Sequence, residues 1–135
     1  MNREIEFRGI WQDGSPNGMW VYGLLRKVIR RIDGKVFVQY VIDEAREDDH
    51  WSGIVDIKTV GQYTGLKDKN GVKVFEGDIL TIGDKNILYV VTWLDTGLKG
   101  KQIGNMSCIG LIFWQNELEV IGNVHEHSHL LEEEA

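Results

Sequence analysis

The stretch 60–80, VGQYTGLKDKNGVKVFEGDIL, limits what this chain can fold into more than any other, because it sets three short apolar runs between two sharp turn signals. Asn70-Gly71, between Leu66 and the run from Val72 to Val74, offers two consecutive residues that tolerate φ > 0 and predicts a type I′ hairpin turn. Glu76-Gly77-Asp78 breaks the chain again, since Gly77 can take a left-handed backbone and Asp78 can hold backbone N–H groups through its carboxylate. Such a segment specifies tight β-structure and advertises no reaction.

The same grammar runs through the rest of the chain. Ile5, Phe7 and Gly9 alternate with Glu4, Glu6 and Arg8, which predicts a half-buried strand. The segment 12–18 holds the only proline and two glycines and is a loop, after which 19–25 resumes extended structure. Asp33-Gly34 separates two β-rich runs, Val28 to Ile32 and Lys35 to Ile42, and signals a hairpin. Residues 43–50, DEAREDDH, have no apolar face to bury; they read as a solvated loop or a single helical turn and as the boundary between an N-terminal and a C-terminal unit.

Beyond that boundary, residues 83–86 are expected to join a strand at Asp78 to Ile82 with one at Asn86 to Trp93. The segment Asp95 to Asn105, spaced by Gly97, Gly100 and Gly104, is expected to be a mobile loop. Last strands are predicted from Cys108 to Trp114 and from Leu118 to Ile121, with the turn at Gln115-Asn116-Glu117. Many short strands with frequent turns point to an all-β sandwich or small barrel.

Composition narrows the setting. At 135 residues the chain can bury a real core without staples. Cys108 is the only cysteine, so no intrachain disulfide forms, and its apolar neighbours suggest a small buried hydrophobe. No apolar run is long enough to span a membrane and no secretory leader is visible, so a cytoplasmic protein is expected. The net charge is −6, and residues 61–135 hold 6 Lys and Arg against 11 Asp and Glu. That balance argues against a general binder of phosphate backbones.

Several segments together resemble the YopX family of phage and prophage proteins: REIEFR at 3–8, WVYG at 20–23, TVGQYTGLKDKNG at 59–71, VFEGDI at 74–79 and EVIGNV at 119–124. The resemblance spans nearly the whole chain. It implies an all-β protein with an SH3-type barrel, encoded by a phage or prophage and present in the bacterial cytoplasm, and it carries no reaction or ligand. The expected organisation is an N-terminal β-hairpin subdomain over 1–50 and an SH3-like barrel over 51–135, together one YopX-like domain.

Candidate sites are few. His125, His127 and His129 stand at i, i+2, i+4, a spacing that on a strand would aim three imidazoles at one metal ion; no second ligand pair supports it, and no metal or other cofactor is expected. Asp43, Glu44, Glu47, Asp48 and Asp49 fit no calcium-loop spacing and read as a solvated linker. Gly-x-Ser-x-Gly is absent and no catalytic constellation is visible, so no enzyme is expected.

What remains is contact chemistry. Tyr63, Lys67, Asp68 and Lys69 near the central hairpin tip, with Trp93 and Trp114 at the ends of apolar runs, are the candidate partner-binding residues. Arg26, Lys27, Arg30 and Arg31 on the first hairpin form a candidate nucleic-acid stripe, with Arg26 and Arg30 on one side. The leading expectation is a non-enzymatic accessory protein that binds another protein or itself. The alternatives are nucleic-acid binding through the stripe and, with less behind it, mimicry of DNA by the acidic second half.

Overall fold

Asp33 and Gly34 have φ of 52° and 79°, the two consecutive left-handed residues that a type I′ turn requires. On either side of them the β-rich runs lock into an antiparallel pair from Ile32↔Lys35 to Leu24↔Asp43. The computed structural model describes residues 4–12, 18–45, 50–94, 97–104 and 107–132. The fold is all-β, with eleven antiparallel strands and three short 3₁₀ turns among those residues. The chain divides into two units, Met1–Gln62 and Tyr63–Ala135.

In the first unit, β1 (Phe7–Ile10), β2 (Trp20–Ile32), β3 (Lys35–Ala45) and β4 (His50–Val55) lie in the order β4-β3-β2-β1. A 3₁₀ turn at Ile57–Thr59 follows, capped by the Asp56 carboxylate, which accepts from the Lys58 N–H. Val21, Ile42 and Val55 form the core, with Trp11 and Trp51 packed on them edge to face at 5.1 Å. Just past β1, Trp11 bridges to Val55.

Three expectations change here. The solvated linker begins later than predicted, because Asp43 and Glu44 continue β3 and pair with Ser52 and Trp51; Glu47, Asp48 and Asp49 lie outside the described residues. Since β4 returns to β3, the units divide between Gln62 and Tyr63 rather than at residue 50. At the N-terminus the alternation holds only in part: Phe7 packs on the core and Gly9 is buried, but Ile5 is exposed and Arg8 is buried with its guanidinium 4.6 Å from the Trp20 ring centre. A cation–π partner lets a charged side chain take an interior position that polarity alone would deny it.

The strand β5 (Gly61–Lys67) carries the chain across the division, with Gly61 and Gln62 bonded to β1 and Tyr63 to Lys67 paired with β6 (Lys73–Phe75). The second unit adds β7 (Asp78–Ile82), β8 (Tyr89–Leu94), β9 (Gly97–Gln102), β10 (Cys108–Gly110) and β11 (Leu118–Asn123), in the order β10-β9-β8-β7-β11. Val74, Leu80, Val91, Leu111 and Leu118 form its core. The expected SH3-type closure is not observed, as no sheet closes on itself among the described residues.

The glycine-spaced segment 95–105, expected as a mobile loop, contains β9, bonded on both sides to β8 and β10. Gly97 (φ 122°) opens β9 and Gly104 (φ 93°) lies in the turn after it. Gly100 serves contact rather than freedom: a Cβ there would lie 2.9 Å from Leu111 Cδ2. The predicted strand from Cys108 to Trp114 stops at Gly110 and becomes a 3₁₀ turn, and Cys108 is exposed rather than buried.

At the central hairpin, Gly71 has φ 83° and Asn70 does not share the left-handed region, so the turn is not type I′. The reason is Asp68. Its buried carboxylate accepts from the N–H groups of Asn70 and Val72 at 2.8 and 2.9 Å through one oxygen, and from the Val120 N–H at 3.0 Å through the other. The main chain adds Gly71 N–H to Asp68 O and Lys69 N–H to Leu118 O. One side chain therefore shapes the turn and ties it to β11. Gly77 (φ 92°) and Asp78, whose carboxylate accepts from Phe75 N–H at 2.7 Å, behave as the sequence predicts.

Asp68→Ala leaves three main-chain N–H groups without that acceptor and is expected to lower unfolding free energy by about 1–3 kcal/mol in urea titration. Asp68→Asn, which keeps one carbonyl oxygen, should lose less.

Candidate interaction surfaces

The distal half of the β2–β3 hairpin is a bare two-stranded ribbon. β1 pairs with β2 only from Trp20 to Gly23, and β4 pairs with β3 only from Tyr40 onward. Residues directly opposite share a face, so Arg26, Val28, Arg30 and Ile32 lie on one side with Val41, Gln39, Phe37 and Lys35. Lys27, Ile29 and Arg31 lie on the other with Tyr40, Val38 and Val36. Ile29 is 61% exposed, and Ile32, Val36, Phe37 and Val38 are about half-exposed. The apolar run that buries Val41 and Ile42, with Leu25 partly buried beside them, thus continues outward after the packing partners end.

The four basic residues of the predicted stripe are therefore split two to a face. Arg26 and Arg30 do share a side, and both are engaged there. Arg26 Nε donates to Asp43 Oδ2 at 2.7 Å, and Arg30 Nε donates to Gln39 Oε1 at 3.0 Å. The hydrogen bond from Arg26, with a second from Ser52, holds the Asp43 carboxyl below its ordinary 3.8, and the Asp43 hydrogen bond raises Arg26. Beside the ribbon lies a groove of about 480 Å³, walled by Arg30, Phe37, Val38 and Tyr40 on one side and by residues 54–57 on the other.

In the second unit the apolar surface is of another kind. Leu111 begins a 3₁₀ turn and is fully buried, while Ile112 is 68%, Phe113 93% and Trp114 42% exposed. At three residues per turn, positions 111 and 114 share a side and 112 and 113 are thrown outward. A strand would have turned every second residue inward. The result is a projecting apolar knob anchored by one leucine.

The predicted partner-binding residues do not form one patch. Tyr63 is buried against Phe75 with ring centres 5.6 Å apart, and Asp68 is the buried turn acceptor described above, so neither is presented to a partner. A Lys-Asp-Lys tip looks solvated in sequence, but the middle carboxylate points inward. Lys67 is exposed, and Lys69 is exposed and lies 3.5 Å from Glu119. Trp93 and Trp114 are each 42% exposed. Phe113 and Ile112 were missed because the apolar run reads as a buried strand; Gly110 at its start was the available signal for a break.

The histidine spacing presumes a strand that ends at Asn123. His127 Nδ1 instead accepts from the Asn123 N–H at 3.1 Å, and a 3₁₀ turn follows at Ser128–Glu132. Among the described residues no group of three or more His, Cys, Asp or Glu is placed to hold a metal ion. No helix among them is long and apolar enough to cross a membrane.

An all-β chain whose distinguishing features are a bare ribbon and an apolar knob is defined by its surfaces more than by any enclosed site. Residues 10–132 match the family model described as YopX protein, and the chain belongs to the YopX family. No curated protein matches. Among solved structures, the crystal structure of protein EF1440 from Enterococcus faecalis is similar, with a TM-score of 0.55 and 21% identity, over 96% of this chain and 99% of that one. That likeness shows the fold.

The Asp43 carboxyl is expected to titrate below 3.8 by NMR, and Arg26→Gln to move it upward, with the difference shrinking in high salt. Because the folded value is depressed, the pair's contribution to stability is complete above the unfolded carboxyl value and fades as pH falls through the folded one.

Proposed function

We propose that this protein is a non-enzymatic accessory protein of phage or prophage origin that acts in the bacterial cytoplasm by binding another protein. The observation that carries this reading is the knob: Phe113 at 93% exposure between Ile112 and Trp114, on a turn held by buried Leu111. Contiguous exposed apolar side chains of this size cost solubility and are typical of contact sites, and one or two aromatic anchors commonly supply most of an interface's energy. Burial in a partner's pocket, or against a second copy, removes that surface from water.

The test is Phe113→Asp. Because the side chain supports nothing inside the unit, unfolding free energy should stay within about 0.5 kcal/mol of the parent. Proteins captured from prophage-carrying cells after nuclease treatment, or self-association seen by sedimentation, should be lost, a drop of about thirtyfold or more in affinity for an anchor residue. Unchanged capture and unchanged sedimentation by the variant would refute the reading.

A second reading, nucleic-acid binding, is favoured by one observation: residues 26–40 hold five basic residues against Asp33 alone, a net +4 in a chain of −6. It requires salt-dependent binding of single-stranded DNA or RNA that weakens in a Lys27→Glu, Arg31→Glu double variant.

A further inference from the structure

We infer that the outer edge of β3, from Lys35 to Gln39, is a strand-addition site for an extended polypeptide segment that is both acidic and apolar. This deepens the protein-binding reading at a second surface, and it stands on observations in the first unit alone.

The edge is open. Among the described residues no strand bonds to β3 on that side before Tyr40, where β4 ends at Val55. The phase of the backbone follows from the bonds around Val55: Ile54 O accepts from Gln12 N–H and Asp56 N–H donates to Ile10 O, which turns those two residues away from β3. Val55 therefore faces β3 and Tyr40 faces β4. With a period of two, Val38 and Val36 aim their N–H and C=O groups outward as well. The type I′ turn gives the same answer independently, since the pair that closes such a turn, Ile32 and Lys35, is bonded inward and leaves Val36 facing out. A guest strand in line with β4 would find four main-chain groups waiting at Val36 and Val38.

Its side chains would find cover too. Val36, Phe37 and Val38 are half-exposed, and the groove of about 480 Å³ separates Phe37 and Val38 from Ile54 and Ile57. The Asp56 carboxylate in that wall is already engaged with the Lys58 N–H.

Charge selects the guest. Residues 26–40 sum to +4 in a chain of −6, so the remainder sums to −10, and even with Arg26 paired to Asp43 the ribbon keeps a net +3. An acidic strand is drawn to the edge, whereas edge-to-edge pairing with a second copy sets two +4 ribbons side by side. A nucleic acid would answer the charge but leave Val36, Phe37 and Val38 uncovered. Strand addition satisfies the main chain and sets guest side chains beside Val36 and Val38 on one face and Phe37 on the other.

The test uses the full chain and a capped, fluorescent peptide of alternating glutamate and valine, with a lysine–valine counterpart and oligo-dT as comparisons. The glutamate–valine peptide should shift the amide signals of Val36, Val38 and Ile54, bind less tightly as salt rises, and bind at least about tenfold more weakly to Val38→Pro, which deletes an outward N–H at an edge position where proline is tolerated. Should Val38→Pro disturb the ribbon's own amide signals, a Val36→Glu, Val38→Glu double variant repels the same peptide and replaces it.

Equal binding of the lysine–valine peptide, shifts produced by oligo-dT alone, or ribbon shifts that depend on protein concentration without any peptide would each overturn the inference. So would the absence of any shift. Phe113→Asp should leave the peptide titration unchanged, so that failure here and failure at the knob are read separately.

Discussion

The carboxylate of Asp68 is the interaction on which the second unit most depends. A hairpin of two short strands, Gly61–Lys67 and Lys73–Phe75, is marginal by itself. Asp68 fixes its turn through Asn70 and Val72 and, with its other oxygen, reaches the N–H of Val120, fifty-two residues away. The last strand of the five-stranded sheet is thereby held to the hairpin by one side chain, aided by the main-chain bond from Lys69 to Leu118. A burial of charge that is costly when unpaired is tolerated because every partner is a fixed main-chain donor.

That arrangement explains what was legible in the sequence and what was not. Asp33-Gly34 states its turn locally, in residues whose conformational preferences need no context, and the hairpin turns there as read. Asn70-Gly71 has the same local preference, but a carboxylate two residues earlier competes for the same N–H groups and selects a different turn. Gly77 and Asp78 were legible because their roles are confined to a few neighbours. Segment 95–105 was not, because Gly100 is glycine for the sake of Leu111, a contact that no window of sequence contains.

The candidate surfaces follow the same division. Trp114 was visible as an aromatic closing an apolar run, and the β-rich runs on either side of Asp33-Gly34 announced the hairpin. That Ile112 and Phe113 stand in water depends on the chain leaving the sheet at Gly110, and that Tyr63 and Asp68 are inside depends on partners such as Phe75 and Val120. Exposure is a tertiary property, so the sequence does not show that Tyr63 and Asp68 turn inward or that Ile112 and Phe113 turn out.

The distal ribbon also bears on how such chains change over generations. Its outer residues pair with one another across the two strands and belong to neither core cluster, so replacements there leave both cores intact. Length, charge and side-chain shape in that arm can change while Val21, Ile42 and Val55 keep the core of the unit. A lineage under pressure to meet new counterparts has, in this projection, a place to vary that does not endanger folding.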